Sequence, residues 1–135
     1  MSIETEPVWA TEVEPPAIRA LGNAVALALQ LPADAIGIKG NAVHFYGYHR
    51  SRHWILTSAY SSDGADDYSI QTARDKGGDP NWLCALDITP GDGELMITLS
   101  ERLDAALRAG KLPKVREFFG NVDGNKVVDG YAPKS

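Results

Sequence analysis

The chain has 135 residues, a formal net charge of −5, and ordinary apolar and charged fractions of 44% and 23%. It has no apolar run of about 18 residues, which argues against a membrane span. Its Lys and Arg residues are scattered, which argues against unaided binding of nucleic acid. The single cysteine, Cys84, excludes an internal disulfide, and its apolar neighbours predict that it is buried.

The N-terminal segment is acidic and lacks the basic and apolar regions of a signal peptide, so no export signal is predicted. Residues 1–14 have no strong period and predict an extended arm, and residues 15–135 predict a single domain. A first helix is expected to begin at Pro15-Pro16 and to end at Leu31-Pro32. Its apolar face at helical spacing consists of Ile18, Leu21, Val25 and Leu29.

Short apolar segments between glycines and polar turns predict strands in the middle of the chain. These segments are residues 36–38, 42–46, 54–57, 68–72 and 82–88. The last is a continuous apolar run that predicts a central, buried strand with one carboxylate, Asp87. The polar loops that flank residues 68–72 are long, and such loops often carry function.

The C-terminal third predicts two helices. Thr98 and Glu101 have the spacing of a capping box, and Gly110 is suited to end the helix that follows. A third, short helix is predicted from Pro113 to about Gly120. The order of elements predicts an α+β fold, a small mixed or antiparallel sheet with helices on one side.

Three histidines are present, and a lone surface residue is the simplest interpretation of each: His44, His49 and His53. The neighbours of His49 and His53 do not predict a helix, so their spacing does not support a helical zinc motif. His49, however, lies in an aromatic and cationic turn. Zinc accepts an imidazole nitrogen and a carboxylate oxygen, and a carboxylate in an apolar strand is costly unless it is paired or coordinated. His49 and Asp87 are therefore a candidate zinc pair; alternatively, Asp87 caps the next turn or pairs with Arg50.

Two other groups of residues are ambiguous. The oxygen-rich segment from Asn121 to Asp129 mimics a calcium loop, but Lys126 and Ala132 stand where Gly and Glu are needed. A polar hairpin turn explains that segment better. Aromatic side chains between Tyr46 and Trp82 could line a groove for a glycan or peptide, although each Trp belongs more often to a core.

A set of short motifs carries a resemblance that covers about residues 18 to 131. The motifs are Gly47-Tyr48-His49-Arg50, Asp67-Tyr68-Ser69, Asp75-Lys76-Gly77-Gly78, Ala85-Leu86-Asp87, Phe118-Phe119-Gly120 and Asp129-Gly130-Tyr131. Together they resemble actinobacterial and actinophage zinc peptidases of peptidoglycan, of the D-alanyl-D-alanine carboxypeptidase and hedgehog type.

The resemblance implies a zinc site and a peptidoglycan stem peptide as substrate. His49 and Asp87 look like the first two zinc ligands. Arg50 and Asp67 are implied as catalytic residues, with Arg50 acting on a substrate carbonyl or carboxylate. The side chains implied to line the substrate cleft are Tyr48, Tyr68 and Trp82.

The sequence departs from this family at its C-terminal end, where a second His normally completes the zinc site. No His follows Asp87, so three explanations stay open: truncation, a second chain that supplies the missing His-bearing strand, or loss of catalysis with recognition kept. We expect either a zinc-dependent cell-wall hydrolase, such as a phage lysin or virion module, or a catalytically inactive wall-binding or phage structural module. The expected location is a phage virion, or the cytoplasm until release to the cell wall.

Overall fold

The computed structural model describes residues 2–125 and 128–131. The chain forms two compact units, of which the first ends at Ile88 and the second begins at Thr89. The single domain expected from residue 15 stays a prediction. No helix among the described residues is long and apolar enough to cross a membrane.

The N-terminal segment differs from the extended arm that the sequence predicts. It folds into two short 3-10 helices, Ile3–Thr5 and Pro7–Thr11. Ile3 is only 5% exposed and belongs to a core cluster that also contains Trp54 and Ile55. Burial of an apolar side chain stabilises the folded state by about 1.5–3 kcal/mol, which fixes this segment to the first unit although its sequence has no period.

The first predicted helix is confirmed as α1, Pro16–Ala28, and it begins at Pro16 as expected. Its buried face contains Gly22 and Ala26. A Cβ atom at Gly22 would lie 2.6 Å from Ile36 Cγ2, so glycine allows the helix to approach the strand that follows. This packing forms the second core cluster of the unit, in which Ile38 and Leu83 are also buried.

Two of the predicted strands are present in part, and these short pieces pair with each other. Strand β1, Ile36–Gly37, pairs antiparallel with β2, Asp87–Ile88, so that Gly37 lies opposite Asp87. The rest of the apolar run 82–88 is not a buried strand: Leu83 is buried, whereas Trp82, Cys84 and Asp87 are exposed. The backbone of Leu83 donates a hydrogen bond to Val13, which aligns the run with the N-terminal segment instead of a central sheet.

Three of the predicted strands are wrong because polar side chains cap local turns. Residues 42–46 form turns, and residues 54–57 belong to helix α2, Arg52–Thr57. The Ser51 hydroxyl accepts the Trp54 N–H and so caps α2 at its start. Tyr68–Ile70 forms a 3-10 turn that the Asp67 carboxylate caps in the same way.

The second unit contains α3, Gly93–Arg108, which begins before the capping box that the sequence predicts. The Asp92 carboxylate accepts the N–H groups of Glu94 and Leu95, so Asp92 is the N-cap and Thr98 lies inside the helix. The helix stops as expected before Gly110, whose φ is +73°.

The third predicted helix is wrong. Residues 118–120 form strand β3, Phe118–Gly120, which pairs antiparallel with β4, Asp129–Tyr131. The predicted calcium-like loop lies partly outside the described residues. Within its described part, the Asn121 and Asp123 side chains accept backbone N–H groups of the same loop, as expected for a polar turn.

The protein is thus a small mixed helix-and-strand protein. Its described residues form three α-helices, and its strands pair antiparallel in twos. At this level the predicted fold class is confirmed.

Asp92 gives a direct test of where α3 begins. We expect Asp92→Ala to lower the free energy of unfolding by about 1 kcal/mol, because two N–H groups of the first turn lose their acceptor. Urea denaturation followed by circular dichroism measures this. Thr98→Ala is the control; a larger loss there than at Asp92 would contradict the assignment.

Candidate metal centre

The pairing of β1 with β2 brings the two predicted zinc ligands together. Asp87 begins β2, and His49 lies beside the residue that follows β1, Ile38. The distance from His49 Nε2 to Asp87 Oδ1 is 3.1 Å, although the residues are far apart in sequence. The His49 side chain is 16% exposed and that of Asp87 is 71% exposed, so the pair lies at the protein surface.

The orientation of the His49 ring is fixed by the backbone. His49 Nδ1 lies 2.7 Å from the Ile38 carbonyl oxygen, which only accepts hydrogen bonds, so Nδ1 carries the hydrogen. In a neutral ring, the lone pair is then on Nε2, the atom that lies 3.1 Å from Asp87 Oδ1. Two electron-rich atoms at this distance need a proton or a cation between them. A metal-bound histidine has this same backbone hydrogen bond on its other nitrogen.

The turn that carries His49 is held by a predicted catalytic residue, Asp67. One oxygen of Asp67 accepts the Gly47 N–H at 3.0 Å, and the other accepts the backbone and hydroxyl groups of Ser69. Asp67 is fully buried. Gly47 has a φ of +81°, which glycine adopts readily, and a Cβ there would lie 2.5 Å from the Tyr68 hydroxyl. Asp67 therefore has an internal, turn-forming role in this structure.

Arg50, the other predicted catalytic residue, is also buried. Its Nη2 lies 3.3 Å from Glu12 Oε1, and both side chains have no exposed surface. The guanidinium also donates to the Gly40 carbonyl and lies 4.3 Å from the centre of the Trp9 ring. The sequence left open that Arg50 pairs with Asp87. In the structure, Arg50 pairs with Glu12 instead.

Desolvation changes the pKa values of the two cations that face Glu12, the buried Arg50 and the more exposed Lys39. Burial lowers the pKa of the Arg50 guanidinium, and the charge of Glu12 opposes this shift. Burial likewise lowers the pKa of Lys39, whose Nζ lies 3.6 Å from Glu12 Oε1. Glu12 also accepts the Ser51 N–H at 2.6 Å. One carboxylate thus compensates the charges of two cations and accepts a hydrogen bond from the residue that caps α2.

The residues predicted to bind substrate differ in how far they are exposed to solvent. The Tyr48 hydroxyl donates to Asp75 at 2.8 Å, and the rings of Tyr48 and Tyr68 meet edge to face at 5.4 Å. Tyr68 and Trp82 are 57% and 45% exposed, so both rings are accessible at the surface of the first unit.

Sequence reasoning gave His44 no role, yet it lies beside His49. The two ring centroids are 5.3 Å apart with an angle of 68° between the planes. Burial lowers the pKa of His44, and the neighbouring His49 adds to this shift. The only sequence signal was that His44 and His49 are five positions apart. This spacing predicts a contact only if the chain turns back between them.

Within the described part of the chain, no three His, Cys, Asp or Glu side chains are already arranged to hold a metal ion. A cleft of about 390 Å³ lies in the first unit at Arg52 and His53, and the residues that line it include neither His49 nor Asp87. The metal candidate is therefore a surface pair and not a group at the base of this cleft.

Comparison of the chain with protein-family models, with curated proteins and with solved structures finds no match.

The role of Glu12 gives a second test. We expect Glu12→Ala to lower the free energy of unfolding by about 3–5 kcal/mol, because it leaves the buried Arg50 charge unpaired. Glu14→Ala is the matched control, since it removes a partly exposed pair with Arg19 and should cost about 0–1 kcal/mol. Denaturant unfolding measures both. Equal losses in the two variants would contradict the structural role of the Glu12–Arg50 pair.

Proposed function

We propose that the chain is a zinc peptidase-like domain directed at peptidoglycan, of the hedgehog and D-alanyl-D-alanine carboxypeptidase type, in which His49 and Asp87 bind the metal. The observation that carries this proposal is the orientation of His49. Its Nδ1–H donates to Ile38, which leaves the lone pair of a neutral ring on Nε2, 3.1 Å from Asp87 Oδ1. Two ligands at about 2 Å from one tetrahedral ion are about 3.3 Å apart, so the pair has the spacing that zinc requires.

The residues fit part of a catalytic centre. Bound zinc polarises a carbonyl group and lowers the pKa of a bound water, and a catalytic site holds it with three protein ligands. His49 and Asp87 supply two, so no hydrolytic step follows from them alone. Under this proposal the substrate is a peptidoglycan stem peptide, and a further ligand, from this chain or a second one, completes the site. The exposed rings of Tyr68 and Trp82 are available for contacts with the peptide.

A second candidate is a peptidase-like module that binds cell wall, or builds a phage particle, without cleaving. A specific observation favours it: Arg50 and Asp67 are both buried and engaged in internal contacts. Neither side chain is free to act on a substrate in this conformation. Both candidates agree with a location in a virion, or in the cytoplasm before release to the wall.

Metal binding tests the zinc site on which the first candidate depends. We expect the parent protein to bind one zinc ion and His49→Ala to lose this binding, because the variant removes the oriented nitrogen. Competition with a chromogenic chelator, supported by elemental analysis, measures the affinity and the stoichiometry. His53→Ala is the control, since its imidazole does not belong to the pair. Equal zinc binding by the parent and by His49→Ala would reject the metal site.

Cell-wall assays separate the two candidates. We expect the parent, with zinc, to release soluble peptide from purified actinobacterial wall, and His49→Ala to release none. Co-sedimentation measures binding in the same samples. Binding by the parent without release would replace the first candidate with the second, and the absence of both would contradict both.

A further inference from the structure

The cleft of the first unit combines cationic and apolar side chains. Its volume of about 390 Å³ lies in the range of small-molecule sites. Ile70, which is only 5% exposed, lines it together with Leu56 and Pro80. Arg52 and Lys76 also line the cleft, and no carboxylate is among the lining residues. The cleft is thus locally cationic in a chain whose net charge is −5.

Hydrogen bonds tie two sides of the cleft to each other. The Arg52 guanidinium donates to the carbonyl oxygens of Lys76 and of Gly78, the latter at 3.2 Å. The His53 N–H donates to the Pro80 carbonyl oxygen at 2.9 Å. These bonds join the start of α2 to the loop that faces it, so the cleft is formed without a ligand. A preformed site binds more tightly than one that a ligand must order.

The charges of the two cations in the cleft are not compensated by a neighbouring carboxylate. Arg19, Arg50 and Arg108 each form an ion pair with a carboxylate. Within the described residues, Arg52 and Lys76 form no such pair. The carbonyl oxygens that bind Arg52 accept hydrogen bonds but carry no net charge, and a guanidinium has five N–H donors. Arg52 therefore keeps both its charge and further donors for an anion.

We propose that this cleft binds a small organic anion, in which an oxyanion group, carboxylate or phosphate, carries a short apolar chain. Arg52 and Lys76 bind the oxyanion group, since the guanidinium fork matches two of its oxygens. The apolar chain lies against Leu56 and Ile70, and this contact buries Leu56, which is 53% exposed. The site is separate from the candidate metal centre, so the inference goes beyond the proposed function and does not depend on it.

Four simple probes test what the cleft recognises: hexanoate, hexyl phosphate, 1-hexanol and acetate. We expect at least one hexyl anion to bind at least about 10-fold more tightly than 1-hexanol, which has the same chain and no charge. Acetate should bind at least about 10-fold more weakly than hexanoate, because it lacks most of the apolar chain. Titration of the ¹⁵N-labelled protein at constant ionic strength, followed by amide chemical shifts, measures affinity and location. The tighter anion identifies the oxyanion group.

Variants with one charge removed test which residues bind the anion. We expect Arg52→Gln and Lys76→Gln each to weaken binding of the tighter hexyl anion at least about 10-fold, because each removes a charged donor. Lys76→Gln leaves the backbone carbonyl that accepts from Arg52 in place. Arg74→Gln is the matched control, since it removes one exposed cation from the same loop, outside the lining. Arg74→Gln and His49→Ala should both bind as the parent does.

The remaining outcomes would overturn the inference. These are no binding of either hexyl anion, equal affinity for 1-hexanol, or shifts confined to residues away from the cleft. Parent affinity in both Arg52→Gln and Lys76→Gln would also overturn it, as would an equal loss in Arg74→Gln. Circular dichroism verifies folding, and Lys76→Gln decides the question if Arg52→Gln does not fold. Zinc binding by the same proteins tests the proposed function separately.

Discussion

The first unit depends on one buried carboxylate. Glu12 lies on the N-terminal segment, and its oxygens compensate Arg50, Lys39 and the Ser51 N–H. A buried guanidinium is tolerated only with such a partner, because the desolvation of an unpaired charge costs several kcal/mol. Arg50 directly follows His49, so the ion pair that compensates the charge of Arg50 also fixes the backbone from which the candidate ligand projects.

The same constraint changes the meaning of the peptidase-like motif. An Arg next to a candidate zinc ligand suggests a side chain that meets substrate, but here the guanidinium is buried and lies over Trp9. Asp67 is likewise internal, since it is buried and one of its oxygens accepts the Gly47 N–H. Both residues therefore support the position of His49, and the chemistry available at the surface is that of imidazole and carboxylate.

The candidate centre is built from backbone interactions at each step. The Ile38 carbonyl sets the His49 tautomer, the pairing of β1 with β2 places Asp87, and Gly40 leaves space for His44. Each of these is a main-chain feature, so the backbone fixes the place of His49, of Asp87 and of the neighbouring His44.

The sequence alone determined helix α1 and its end near Gly110, since an apolar period and a glycine after a helix are local signals. It offered the pairing of His49 with Asp87 as one of several alternatives, and the structure places the two side chains 3.1 Å apart. It misjudged residues 54–57 and 68–72, where the Ser51 and Asp67 side chains cap turns that β-propensity does not reveal. Only the tertiary structure decided that Arg50 is internal and that His44 lies beside His49. The burial of Arg50 depends on contacts with Glu12, which is distant in the chain. The approach of His44 to His49 depends on a turn whose geometry no single residue specifies, so neither outcome can be predicted from local sequence.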